Sequence, residues 1–202
     1  LMDTNTMTAT NTAFTGNKTA KSAANKGGAA VYVANTSASF DGCTFTENTV
    51  AGNTDSVGGA LCFYAVSASQ TAITVSGSTF TGNTALNGGA IGLSDSGSFR
   101  SGRAIVNWTD CSFTGNSAAG KGGAIAIPYS CENAMHCVVT LSGCTYSGNT
   151  AAQEPDFYSA DKLNITVDGK VLDPSTTTGN PNYVAYTDVS VVPNVTDSAG
   201  TA

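Results

Sequence analysis

Charge is scarce in this chain. Of 202 residues, 8 are Lys or Arg and 14 are Asp or Glu, so 11 % carry a charge and the formal net charge is −6. So few cations leave no basic patch able to follow a phosphate backbone, which excludes nucleic acid as a partner. Histidine occurs once, at His136, and no two cysteines stand in a CxxC pair, so neither a metal site nor any other cofactor site is spelled out. Long apolar runs are also missing. No stretch of 18 apolar residues exists, which excludes a membrane-spanning helix. Lys and Glu, the usual residues of helix surfaces, are few, while Thr, Ser, Asn, Gly and Ala dominate. That mixture suits strands and tight turns better than helices, and with its low charge it has a secreted character. A leader peptide is not readable: Leu1-Met2-Asp3-Thr4 has the character of the interior of a longer chain.

What the chain does have is a repeat. Phe14-Thr15-Gly16-Asn17, Phe45-Thr46-Glu47-Asn48, Phe80-Thr81-Gly82-Asn83, Phe113-Thr114-Gly115-Asn116 and Tyr146-Ser147-Gly148-Asn149 follow one another at steps of 31, 35, 33 and 33 residues. A second motif alternates with the first: Gly27-Gly28-Ala29, Gly58-Gly59-Ala60, Gly88-Gly89-Ala90 and Gly122-Gly123-Ala124. Two residues before each aromatic stand Thr12, Cys43, Ser78, Cys111 and Cys144. Further upstream come Ala9, Phe40, Val75, Trp108 and Leu141, then Met7, Ala38, Ile73, Val106 and Val139, with polar residues between the two columns. This is the period-2 alternation of a strand. Each repeat therefore reads as three short strands joined by turns.

A unit of this size with three strands and no helical period cannot bury its own apolar face, so it must stack on copies of itself. The expected fold is all-β: a right-handed parallel β-helix, or solenoid, of about five rungs plus a partial sixth that caps it. Stacking places Phe14, Phe45, Phe80, Phe113 and Tyr146 in one column and Asn17, Asn48, Asn83, Asn116 and Asn149 in another. A buried turn Asn bonds backbone groups and its own stacked copies. The inward cysteines read as small core residues, since Ser78 and Thr12 fill the same column. After Asn149 the Gly-Gly-Ala motif is replaced by Thr150 to Tyr158, and a last strand, Leu163 to Gly169, is followed by Lys170 where an inward cysteine is due. Residues 1–172 are thus assigned to the β-helix, and residues 173–202, with Pro174, Pro181 and Pro193, to a C-terminal extension or linker holding one extra edge strand over Tyr183 to Val192.

Alternating Gly-Gly-Ala-Ile and Phe-x-x-Asn motifs, carried here by Gly88-Gly89-Ala90-Ile91, Gly122-Gly123-Ala124-Ile125 and the five Phe/Tyr-x-x-Asn sites, resemble the polymorphic outer-membrane protein (Pmp) repeats of chlamydial adhesins. The resemblance spans roughly residues 5 to 150. It implies a β-helix displayed on a cell surface or secreted, with adhesion to a host or neighbouring-cell protein or glycan as its role. The first unit departs from the pattern, with Gly28-Ala29-Ala30 and no Ile.

Other classes leave weaker marks. Many β-helices process polysaccharides, and a polygalacturonase-like Asn53-Thr54-Asp55 occurs, but the accompanying paired Asp, Gly-His-Gly and Arg-x-Lys motifs are missing. Arg100 and Arg103 stand apart from His136, and Glu154 with Asp156 is better explained by turn chemistry. The expectation is a non-catalytic protein. If each Phe points inward, Thr44 and Thr46, Thr79 and Thr81, Ser112 and Thr114, and Thr145 and Ser147 point outward, with Thr15 alone in the first unit. Such a Thr-x-Thr ladder is similar to the hydroxyl arrays of ice-binding β-helices, though Thr is also among the best strand residues. Three excursions, Val50 to Val57, Ser94 to Gly102 and Pro128 to His136, interrupt the coil, and loops on a rigid scaffold are where recognition concentrates. The third holds Tyr129 and is bracketed by Cys131 and Cys137, a candidate local disulfide; Tyr129 and the Thr ladder are the candidate contact residues.

Overall fold

A computed structural model describes residues 6–19, 27–34, 36–51, 56–64, 70–94, 103–127, 137–159, 164–168, 170–171 and 184–186. Every regular element among them is a strand. Four strands recur in each of the first four circuits of the chain. They are β1 (Thr6–Thr10), β2 (Ala13–Thr15), β3 (Lys18–Thr19) and β4 (Val31–Ala34), then β5 (Ser37–Asp41), β6 (Thr44–Thr46), β7 (Thr49–Val50) and β8 (Leu61–Tyr64). Next come β9 (Gln70–Ser76), β10 (Thr79–Thr81), β11 (Thr84–Asn87) and β12 (Ile91–Ser94), followed by β13 (Arg103–Thr109), β14 (Ser112–Thr114), β15 (Ser117–Lys121) and β16 (Ile125–Ile127). Beyond them lie β17 (Cys137–Ser142), β18 (Thr145–Ser147), β19 (Phe157–Ser159), β20 (Asn164–Val167), β21 (Lys170–Val171) and β22 (Val184–Tyr186). Like pairs with like across circuits, which builds a parallel β-solenoid whose regular part, β5 to β16, makes about three turns.

The four sheets follow from the repeat. Sheet A stacks β1, β5, β9, β13, β17 and β20; sheet B stacks β2, β6, β10, β14 and β18; sheet C stacks β3, β7, β11 and β15; sheet D stacks β4, β8, β12, β16 and β19. Register keeps each column intact: Met7, Ala38, Ile73, Val106 and Val139 are mutual partners, as are Ala9, Phe40, Val75, Trp108 and Leu141. A one-residue slip would turn each strand's apolar side chains to the other face, so burial of these columns fixes the pairing. The core lies between sheets A, B and D, where Phe40 meets Phe45 edge-on at 5.8 Å and Phe63 at 6.2 Å.

Two sequence expectations change here. The repeat has four strands, not three: the residues just after each buried Asn, such as Thr49-Val50 and Thr84 to Asn87, form sheet C. The first glycine motif also sits one residue later than expected. Backbone bonds from Gly28 to Gly58, Ala29 to Gly59 and Ala30 to Ala60 align Gly28-Ala29-Ala30, rather than Gly27-Gly28-Ala29, with Gly58-Gly59-Ala60. Val31 is thereby placed over Leu61, keeping the apolar column of sheet D continuous.

Corners recur at fixed places. Residues 11, 42, 77, 110 and 143 share positive φ, as do residues 16, 47, 82, 115 and 148, and residues 28, 58, 88, 122 and 154. The pair Gly88-Gly89 shows two separate requirements. Gly88 has φ +62°, a left-handed conformation that disfavours a side chain, whereas a Cβ on Gly89 would lie 2.1 Å from the Gly123 carbonyl oxygen and 2.6 Å from the Ser117 nitrogen. One glycine allows the bend and the other allows the next circuit to pack close.

At the C-terminal end the parallel stacking stops. Strand β21 runs back antiparallel on β20, with Val167 opposite Lys170, and Asp168, just after β20, has φ +46°. Lys170 therefore stands in a returning strand rather than in the inward column that held the cysteines. Sheet D likewise ends on β22, antiparallel to β19.

Candidate contact surface

Sheet B is where inward and outward chemistry separate most cleanly. Its inward column is aromatic: Phe14, Phe45, Phe80, Phe113 and Tyr146 stack with ring centroids 4.8, 4.7, 4.9 and 5.2 Å apart and ring planes within 9° of parallel. These separations match the roughly 4.8 Å spacing of paired strands, so backbone pairing sets the ring spacing. Either side of each ring points out. Thr79, Thr81, Thr114, Thr145, Ser147 and Thr44 are exposed, Thr46 and Ser112 half-exposed, with Thr44↔Thr79↔Ser112↔Thr145 and Thr46↔Thr81↔Thr114↔Ser147 in strict register. Thr15 pairs with Thr46 at the first strand of the sheet. The result is two parallel rows of hydroxyls on an open sheet face.

Sheet D presents a different surface. Strands β12, β16 and β19 are buried on both faces, whereas on β4 and β8 the rings of Tyr32 and Tyr64 come within 5.9 Å of each other and Tyr32 is exposed. This tyrosine pair went unnoticed in the sequence because it lies outside both repeated motifs.

Behind the hydroxyl face runs a buried amide ladder. Each Asn side-chain oxygen accepts both the backbone N–H and the Nδ2–H of the Asn one circuit earlier: 3.1 and 2.9 Å from Asn17 to Asn48, 3.0 and 2.9 Å from Asn48 to Asn83, 3.0 and 2.9 Å from Asn83 to Asn116. The Asn116 to Asn149 step repeats this at 3.0 Å twice. The second Nδ2–H turns back to the carbonyl of the preceding circuit's aromatic residue, as Asn83 does to Phe45 at 2.9 Å. Both donors and the acceptor of each interior amide are therefore used at almost no exposure.

The ladder ends on Asp156, whose place beside Glu154 and Pro155 suggests turn chemistry from sequence alone. Asn149 donates through Nδ2 to Asp156 Oδ1 at 2.9 Å. Asp156 reaches this place because Glu154-Pro155-Asp156-Phe157 takes over the corner of Gly122-Gly123-Ala124-Ile125: Ile125 pairs with Phe157, and Ala124 N–H bonds the Pro155 carbonyl. Replacement of the alanine by aspartate at that corner is the signal that could have revealed it. The carboxylate is thereby part of the scaffold's hydrogen-bonding, as is the positive-φ turn at Glu154.

The remaining candidate residues fall elsewhere. Tyr129, Cys131, His136, Arg100 and Asn53-Thr54-Asp55 lie outside the described residues, as do the side chains of Cys137 and Arg103, so the Cys131–Cys137 pairing has no structural account. Among the described residues no group of three or more His, Cys, Asp or Glu could hold a metal ion, and no helix is long and apolar enough to cross a membrane.

Residues 77–94 and 110–128 each match the Chlamydia polymorphic membrane protein (Chlamydia_PMP) repeat. The chain carries Pmp-type repeats. Each matched segment contains an aromatic of the stack, an Asn of the ladder and one close-packed glycine corner, so the Pmp motif is the sequence of one corner-to-corner passage through sheets B and C into sheet D. No curated protein and no solved structure gives a significant match.

Proposed function

We propose that this chain is a non-catalytic segment of a cell-surface or secreted adhesin-like protein, a rigid stalk that displays contact residues on a right-handed β-helix of five rungs and a partial sixth. The observation that carries the reading is the combination of Pmp-type repeats with a parallel solenoid, which fit a surface adhesin-like protein. Rigidity follows from the ladders: aromatic and amide columns link successive circuits through well-packed, fully bonded contacts, so bending would open many of them together. The partner class is a host or neighbouring-cell protein or glycan. The chain offers it hydroxyl rows and an exposed tyrosine, suited to polar and stacking contacts, and Tyr129 in the segment 128–136 is a further candidate.

A glycan and host-protein binding array tests this directly. Binding to at least one glycan or protein is expected, together with at least a tenfold loss when residues 128–137 are deleted, a loss of about 1.4 kcal/mol. Turnover of a pectin or glycan by the chain would overturn the non-catalytic reading, and unchanged binding after the deletion would remove residues 128–137 from the proposed contact residues.

One observation favours a second reading. The hydroxyl rows are solvent-facing and in register over β6, β10, β14 and β18, as an ice-binding face requires. On that reading the chain shows thermal hysteresis, and Thr81→Tyr, in the middle of the array, abolishes it while leaving the melting temperature within a few degrees. Freezing and melting points that coincide in the unmodified chain would end this alternative.

A further inference from the structure

Two residues before each aromatic of sheet B stands a small side chain that closes the corner. Thr12 Oγ1 bonds the Thr10 carbonyl at 2.9 Å and Ser78 Oγ the Ser76 carbonyl at 2.9 Å; Cys43, Cys111 and Cys144 place Sγ 3.5, 3.4 and 3.7 Å from the corresponding carbonyls of Asp41, Thr109 and Ser142. Hydroxyl and thiol do the same work there, and most of this column alternates in a way that keeps sulfurs apart. Cys43 lies next to Ser78, and its backbone N–H bonds the Ser78 hydroxyl at 3.0 Å. Cys111 and Cys144 are the exception: they are successive members of the column.

Their backbones are held side by side. Ser112 pairs with Thr145, the Thr145 N–H bonds the Cys111 carbonyl at 2.9 Å, and the Asp110 N–H bonds the Ser142 carbonyl at 2.8 Å. Adjacent paired strands lie about 4.8 Å apart, inside the Cα window of about 4.4–6.8 Å that a disulfide tolerates. The two thiols also influence each other across the circuits, their acidities moving in opposite directions. We infer that Cys111 and Cys144 are a dithiol site that a small-molecule disulfide of the glutathione class oxidises to a disulfide bond joining two successive circuits of the solenoid.

The two sulfurs have different roles. Cys144 is half-buried, and its interaction with the neighbouring Cys111 thiol lowers its own thiol below the usual range, so it is the sulfur that meets the reagent. Its thiolate attacks the small disulfide, forming a mixed disulfide and expelling one small thiolate. Cys111, 1 % exposed, has its thiol pushed up by the neighbouring Cys144 and by burial, so it stays protonated until the mixed disulfide forms beside it. It then loses its proton and attacks Cys144 Sγ, expelling the second small thiolate. The chain loses two electrons and two protons; the reagent gains both and leaves as two thiols. Cys62 takes no part, because full burial raises its thiol to about 12.

Incubation of the full chain with oxidised glutathione, alkylation of the remaining thiols, and non-reducing digestion with mass spectrometry read the result. Expected is a linked pair of peptides carrying Cys111 and Cys144, about 2 Da lighter than their sum, and a melting temperature raised by several degrees that dithiothreitol reverses. Cys111→Ser or Cys144→Ser should lose both signals yet keep the fold, because Ser78 already fills the column. The link must also form in a Cys131→Ser/Cys137→Ser variant, where that competing pair is gone. Recovery of Cys111 and Cys144 as alkylated free thiols, or as partners of other cysteines, would overturn the assignment.

Discussion

Phe80→Ala lowers the unfolding free energy by about 3–5 kcal/mol, as read from urea denaturation, because the cavity it leaves cannot collapse. The ring is fully buried between Phe45 at 4.7 Å and Phe113 at 4.9 Å, and both neighbours are fixed by backbone pairing on either side. Closing the gap would mean pulling two circuits together past their hydrogen-bonding distance. Phe14→Ala provides the internal comparison. Phe14 is half-buried and stacks on one side only, against Phe45, so the same truncation removes less contact and leaves no enclosed void. If the two variants lose equal stability, stacking between circuits is not what holds sheet B together.

Asn83→Leu should cost as much or more, on the order of 4 kcal/mol or above. Leucine matches the volume but supplies neither donors nor acceptor. Three groups lose their Asn83 partner at once, the backbone N–H and Nδ2–H of Asn48 and the Phe45 carbonyl, while the Asn116 side-chain oxygen keeps only the backbone N–H of residue 83. Each buried polar group deprived of its partner costs roughly 1–3 kcal/mol, so the sum dominates whatever the apolar side chain returns. Asn83→Asp should also destabilise: it keeps acceptor oxygens for Asn48 but turns a carboxylate toward the Phe45 carbonyl and the Asn116 oxygen. Urea midpoints for Asn83→Leu and Asn17→Leu make the check, since Asn17 is exposed and makes its bonds to one neighbour. A loss under about 1 kcal/mol at Asn83 would mean that the amide ladder adds little to stability.

Much of this architecture is written openly in the chain, and the reason is geometric. Parallel stacking in register puts like residue on like residue, so a structural column becomes a sequence repeat, as with Phe45-Phe80-Phe113 and Asn48-Asn83-Asn116. Sheet C escaped notice because its strands are short and their residues, Thr49-Val50 or Ser117 to Lys121, share no motif beyond alternation. It is also the least regular sheet: β15 carries a bulge opposite β11, where the Lys121 N–H bonds the Asn87 side chain at 3.1 Å. Asp156 escaped because it closes the amide column from a different corner, seven residues after Asn149 rather than a full circuit later. Repeats reveal what recurs. A residue that acts once, at an end, has no second copy to announce it.

The amide ladder also has a direction. From Asn48 to Asn149 each side-chain oxygen accepts from the circuit before it, and from Asn17 to Asn116 each amide donates one Nδ2–H to the circuit after it, so the side-chain dipoles align head to tail and the donor end terminates on the Asp156 carboxylate. A duplicated circuit could be spliced into the middle and would inherit the whole pattern, because it presents the same acceptor upward and the same donor downward. Two such rods set acceptor end to acceptor end would place oxygen against oxygen. The molecule is therefore a vectorial polymer in miniature: its length can change by whole circuits, while its polarity cannot.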